Sequence, residues 1–248
     1  MASNSETGHA KNVANFEDLI SFCTGYGANY QPSKAAIKLA ALTALRTTAQ
    51  GTIVAVVTAS TSFINATNAR QLVFAPIKPL ATRIVNALAA TDATDEMIAD
   101  AKNINRKIQG ARKGNGKTPP PPPPDGTPPP DDNQISVSQQ SYDSLVENFK
   151  KLVSLVDSEP TYTPNEVDLQ VVTLTAQAVD LGAKNTDVIT ATTDLSNGRI
   201  TRNKVLYLKA TGLYDIAQEV KKYVKSVFGA SSHEYKQVSG IKFTTHKP

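Results

Sequence analysis

The segment Gly114-Asn115-Gly116-Lys117-Thr118 has the ending of a phosphate-binding loop, in which backbone N–H groups cradle phosphates and a lysine reaches them. That motif places its first glycine five positions before the Gly of Gly-Lys-Thr, and Ala111 stands there. Six prolines follow Thr118, so no helix N-terminus can present its N–H groups to a phosphate. The three histidines, His9, His233 and His246, have no second histidine, cysteine or carboxylate at metal-ligand spacing. Cys23 shares an apolar helical side with Leu19 and Ile20, the setting of a small buried hydrophobe rather than of a reactive thiolate. The acidic pairs Asp95-Glu96 and Asp131-Asp132 are sequence neighbours, which diverge by about 100° on a helix, so neither makes a converging dyad. The sequence therefore assigns no catalytic residue, no cofactor site and no metal ligand, and the expectation is a protein that is not an enzyme.

Positive charge is the chemistry that remains. Arg106, Lys107, Arg112, Lys113 and Lys117 form the strongest basic cluster, and Lys221, Lys222 and Lys225 form a second. Such clusters neutralise phosphates. Stacking on single-stranded nucleic acid also needs interleaved aromatics, and Tyr223 is the only obvious one. Binding to nucleic acid or to an acidic surface is thus the alternative reading; solvated helix ends are the favoured one. Arg70 and Arg202 stand 132 positions apart, just beyond an expected turn between long helices. There they would either cap free carbonyls or meet a partner.

The elements that position these residues are read from an internal repeat. Phe16, Leu19, Ile20 and Ser21 lead to Tyr30-Gln31-Pro32, while Phe149, Leu152, Val153 and Ser154 lead to Tyr162-Thr163-Pro164. The first element shifts by 133 positions and the Tyr-x-Pro by 132, so one gap reconciles them. In the second copy Val167, Val171, Leu174, Ala178, Leu181, Val188 and Leu195 fall on steps of three and four, with Asn185 and Thr192 in the remaining slots. The first copy repeats that face with Leu42, Leu45, Ala49, Ile53, Val56 and Phe63. Pro32 and Pro164 suit first helical turns, and Asn197-Gly198 reads as a helix stop. A third helix is expected from about Arg199 to Phe228, and in the first copy Pro76 and Pro79 must break its counterpart. Short terminal helices are expected at 94–109 and 231–238, each behind a polar cap. The leading helices are placed at 13–23 and 136–156.

The fold expected is all-α: a tandem duplication of a four-helix up-down bundle, with the copies at residues 13–109 and 135–243. Residues 1–12 and 244–248 are read as tails. Between the copies, 110–134 holds nine of the fifteen prolines and reads as a polyproline spacer. Residues 1–118 carry a formal charge of +6 and residues 119–248 one of −2, a polarity suited to head-to-tail association or to an acidic partner. A single cysteine excludes an intrachain disulfide. No apolar run approaching the roughly 20 residues of a membrane span is read from the sequence, and 1–13 lacks the pattern of a secretory signal. A cytoplasmic setting, with assembly into a larger particle open, is the default.

The stretch Val220-Lys221-Lys222-Tyr223-Val224-Lys225-Ser226-Val227-Phe228-Gly229, with Glu234-Tyr235, Val238-Ser239-Gly240-Ile241-Lys242-Phe243, Arg202 and Leu206-Tyr207, resembles bacterial proteins of a small, uncharacterised helical family. The resemblance covers about Tyr162 to Phe243 and implies helices without an activity. The expected function is that of a structural or protein-interaction scaffold, with a protein partner or self-association and no membrane.

Overall fold

The computed structural model describes residues 4–110 and 140–245, which are helical throughout apart from turns; no strand occurs among them. The helices are α1 (Asn4–Gly25), α2 (Leu39–Phe74), α3 (Ile77–Ala89), α4 (Asp95–Gln109), α5 (Tyr142–Asp157), α6 (Val171–Tyr207), α7 (Leu213–Phe228) and α8 (His233–Ser239). Single 3-10 turns at Ala35–Ile37 and Val167–Leu169 precede the two longest helices. Pro32 and Pro164 were assigned to first turns of α-helices; they instead lead into these short turns, and the helices start at Leu39 and Val171.

The chain divides into two compact units. Unit 1 comprises residues 1–64 and 190–248, and unit 2 comprises 65–189. These boundaries differ from the expected 13–109 and 135–243, because each sequence copy contributes to both units. The cause lies in α2 and α6, of 36 and 37 residues, each about 54–56 Å long at 1.5 Å per residue. Neither stops where a turn was expected. Asn197-Gly198 lies inside α6, and a Cβ on Gly198 would sit 3.6 Å from the Val56 methyl, so the glycine admits a close neighbour rather than ending the helix. Each long helix thus carries the chain beyond the reach of the helix that precedes it.

Unit 1 gathers α1, the first part of α2, the last part of α6, α7 and α8 around Phe16, Leu19, Leu42, Leu206, Leu213 and Val220. Here α7 packs against α1, α8 and the turn at 35–37. Unit 2 gathers the last part of α2, α3, α4, α5 and the first part of α6 around Ile77, Ile84, Leu88, Phe149, Leu152 and Leu181. There α3 packs against α4, α5 and the turn at 167–169. Among the described residues each unit therefore has five helical segments, where an up-down bundle of four was expected.

Local chemistry accounts for the helix ends. The Thr94, Ser141 and Ser232 side chains accept from the N–H groups of Met97, Ser144 and Tyr235, as N-caps do. The expected break at Pro76 is present between α2 and α3, and Pro79 sits in the first turn of α3, where a missing N–H costs nothing. Within the threonine-rich α2 the hydroxyls of Thr43, Thr47, Thr48 and Thr61 donate to the carbonyls four residues back, so they find partners inside the helix. The true end of α6 is a tight turn in which Ala210 takes φ +69 and its N–H donates to the Asp215 carboxylate.

The proline segment lies almost wholly outside the described residues, but its flanks do not. Gly110 ends α4 with φ +78, and the Gln140 side chain lies against it, donating to the Lys107 carbonyl at 2.9 Å. A spacer is expected to hold its ends apart; here both ends meet inside unit 2, beside the packed pair α4 and α5.

Candidate functional site

Unit 2 carries an open groove of ≈ 670 Å³ between the end of α3 and the loop before α6. Its α3 wall presents Arg83, Asn86, Ala87 and Thr91, and its loop wall presents Tyr162 and Pro164. The loop is held from within: the Tyr162 hydroxyl donates to the Leu169 carbonyl at 3.0 Å, and the Glu159 carboxylate accepts from the Thr161 hydroxyl and N–H. Those two bonds hold the Glu159 carboxyl below its ordinary range. Burial, helped by the charges of Asp168 and Glu166, pushes the Tyr162 phenol up to about 12. At the rim Arg83 forms a forked ion pair with Asp168, one branch at 3.2 Å. The hydrogen bond from Arg83 lowers the Asp168 carboxyl. The groove thus offers apolar carbons, the edge of the buried Tyr162 and paired charges.

Arg70 stands beside a second arrangement of the same unit. It lies inside α2 and caps no turn, contrary to expectation, because the helix runs on to Phe74. Its guanidinium stacks 3.8 Å from the centre of the Tyr142 ring and donates to Asn185 Oδ1 at 3.0 Å. Asn185 in turn donates to Asp143 Oδ1 at 2.6 Å. Phe74 meets the Tyr142 ring edge-on at 4.8 Å between centroids. Arg202 likewise lies inside α6, is buried, and donates to Asn203 Oδ1 through Nε and Nη2. Nearby in unit 1, Asn12 donates to the Tyr207 hydroxyl and the Thr244 carbonyl, and His9 Nδ1 is 2.7 Å from the same hydroxyl.

The basic residues are scattered. Lys221 donates to the Ile241 carbonyl and lies over the Phe243 ring, pinning the chain after α8; burial lowers its amine. Lys225 lies over the Tyr235 ring, while Lys222 is exposed. Lys107 is exposed and Arg106 half-buried at the end of α4, where their carbonyls accept from Gly110. Arg112, Lys113 and Lys117 lie outside the described residues, as does the Gly114–Thr118 segment. Cys23 is buried, with its thiol pushed up to about 12 by desolvation against an opposing hydrogen bond from Tyr30. Among the described residues, no three His, Cys, Asp or Glu side chains converge as a metal site.

Two surfaces were missed in the sequence. The groove depends on Ala87 being small and next to the repeated Tyr-x-Pro, which no single-copy pattern signals. The other is apolar. One helical stretch, Leu39–Ala89, is long and apolar enough by length and composition to cross a membrane, and 39 % of its most apolar part is buried. Alanine, threonine and serine interleave its Leu, Ile and Val, and a single helix of this kind is weak evidence of a membrane span. No family model, no curated protein and no solved structure matches the chain.

Proposed function

We propose that the chain is a duplicated all-helical scaffold that works by binding protein surfaces rather than by catalysis. The observation that carries this reading is the exposure of apolar stripes on the long helices. In unit 1, Val54, Val57 and Ile64 of α2 follow helical spacing and are 54 %, 61 % and 53 % exposed. In unit 2, Val172 and Val179 of α6 are 74 % and 66 % exposed. Aligned exposed apolar residues of this kind mark association surfaces.

The duplication is supported by paired details. The Tyr30 hydroxyl donates to the Ile37 carbonyl as that of Tyr162 does to Leu169, 132 positions later. Ile77, Leu80, Ala81, Ile84 and Leu88 of α3 are buried, and so are the residues 136 positions on: Leu213, Ile216, Ala217, Val220 and Val224 of α7. The nucleic-acid alternative draws no support from Lys221 and Lys225, which are engaged within unit 1.

Light scattering of the full chain across a concentration range tests the reading. The parent should associate, and Val57→Asp with Ile64→Asp should return it toward monomer without lowering its helicity. A parent that stays monomeric at high concentration disposes of self-association.

A further inference from the structure

The two units differ at one place where the repeat should make them alike. In unit 1, Tyr223 of α7 lies against the loop that carries Tyr30-Gln31-Pro32. Its ring meets Tyr30 edge-on, with centroids 5.3 Å apart at 90°, and the Gln31 N–H donates to its hydroxyl at 3.1 Å. The 136-position shift that aligns the buried faces of α7 and α3 puts Ala87 where Tyr223 stands. Glu219 binds Lys34 in unit 1, and its counterpart Arg83 binds Asp168 in unit 2, two positions past Glu166, the counterpart of Lys34. Tyr162 and Thr163 are the counterparts of Tyr30 and Gln31. The groove of unit 2 is lined by Ala87, Tyr162 and Thr163, so it lies where unit 1 is filled by a tyrosine.

Resting on the duplication reading above, we infer that the unit 2 groove is a receptor for a tyrosine side chain on a partner polypeptide, and that Tyr223 in unit 1 displays the bound pose. The incoming ring packs over the Ala87 methyl beside Tyr162, which is itself 5 % exposed, and its hydroxyl oxygen accepts from the Thr163 N–H. That N–H now closes a tight bond to the Thr161 carbonyl at 3.0 Å, which the phenol oxygen replaces or shares. The groove's ≈ 670 Å³ exceeds one ring, leaving room for flanking peptide beside Arg83 and Asn86. Phenylalanine fits the same space without the hydroxyl, so tyrosine is favoured by one hydrogen bond, about two- to tenfold in affinity.

The test is an amide NMR titration of the full chain with N-acetyl-tyrosinamide and N-acetyl-phenylalaninamide. Saturable shifts at Arg83, Thr163, Asn165 and Glu166, stronger for the tyrosine compound, are expected. Ala87→Tyr should abolish them and melt no lower than the parent; Ala87→Leu, a plug without a hydroxyl, should abolish them too. A stable Ala87→Tyr chain whose parent shows no saturable shifts overturns the receptor alone. An Ala87→Tyr chain that melts far below the parent overturns the correspondence of the units and the receptor with it. Shifts that survive both plugs overturn the receptor.

Discussion

Gly110 and Gln140 touch: a Cβ added to Gly110 would fall 2.6 Å from the Gln140 carboxamide carbon. The 29 residues between them therefore bridge almost no distance. Replacing 111–139 by a five-residue glycine-rich turn should keep unfolding cooperative and raise stability by at most about 1.5 kcal/mol, from the shorter loop. A chain that lost cooperative unfolding would contradict this. Gly110→Ala should cost about 1 kcal/mol or more in denaturant unfolding, because φ is +78 and the methyl collides with Gln140.

Tyr30 and Tyr162 make the same inward bond, and the Tyr30 hydroxyl also meets the Cys23 thiol where unit 2 has Val156, so Tyr30 should weigh at least as much. Tyr30→Phe and Tyr162→Phe each leave a carbonyl without its donor, and each should lose about 0.5–1.5 kcal/mol in urea unfolding. Values differing by several kcal/mol would mean the two loops are not held alike.

The Asn185 carboxamide joins Arg70 to Asp143, and removing it strands both. Asn185→Ala should cost about 1–3 kcal/mol. Arg70→Lys keeps the charge but gives up the planar stack on Tyr142, and should also destabilise. A double-mutant cycle should give less than the sum of the two; full additivity would show that the contacts are independent.

Alkaline pH should unfold the chain. Burial pushes the Cys23 thiol from its ordinary 9.0 up to about 12, so the unfolded state releases its proton first. The stabilising contribution is complete below about pH 9 and is lost as pH rises toward 12. Its slope is about 1.4 kcal/mol per pH unit at most. Tyr26 and Tyr162, pushed up to about 12 by burial, act in the same direction above pH 10. Cys23→Val, which copies Val156 of unit 2, should flatten stability against pH between 9 and 10; an unchanged slope would exclude the thiol as its source.

The helical character was legible because the stripe Leu174, Ala178, Leu181, Val188 and Leu195 follows helix spacing and is buried, whereas Val167, read as its start, lies in the 167–169 turn and is 69 % exposed. The caps Thr94 and Ser232 were legible for the same local reason. The course of the chain was not. Asn197-Gly198 has the composition of a stop, yet packing against Val56 keeps it helical, a tertiary override of a local preference. Arg70 and Arg202 were recognised as a pair, but their surroundings depend on partners far away in sequence, such as Tyr142 for Arg70. The groove was illegible because it is made by what Ala87 lacks, visible only beside Tyr223.

Asn12 clasps Thr244 through both halves of its carboxamide, across 232 positions. During synthesis, α1 leaves the ribosome long before its mates α7 and α8 exist, whereas residues 65–189 emerge as one uninterrupted stretch. Assembly from the ribosome should accordingly run from the middle outward. Helix α1 must wait, apolar face uncovered, for α7 and α8, and in that interval the nascent chain depends on chaperones or on speed.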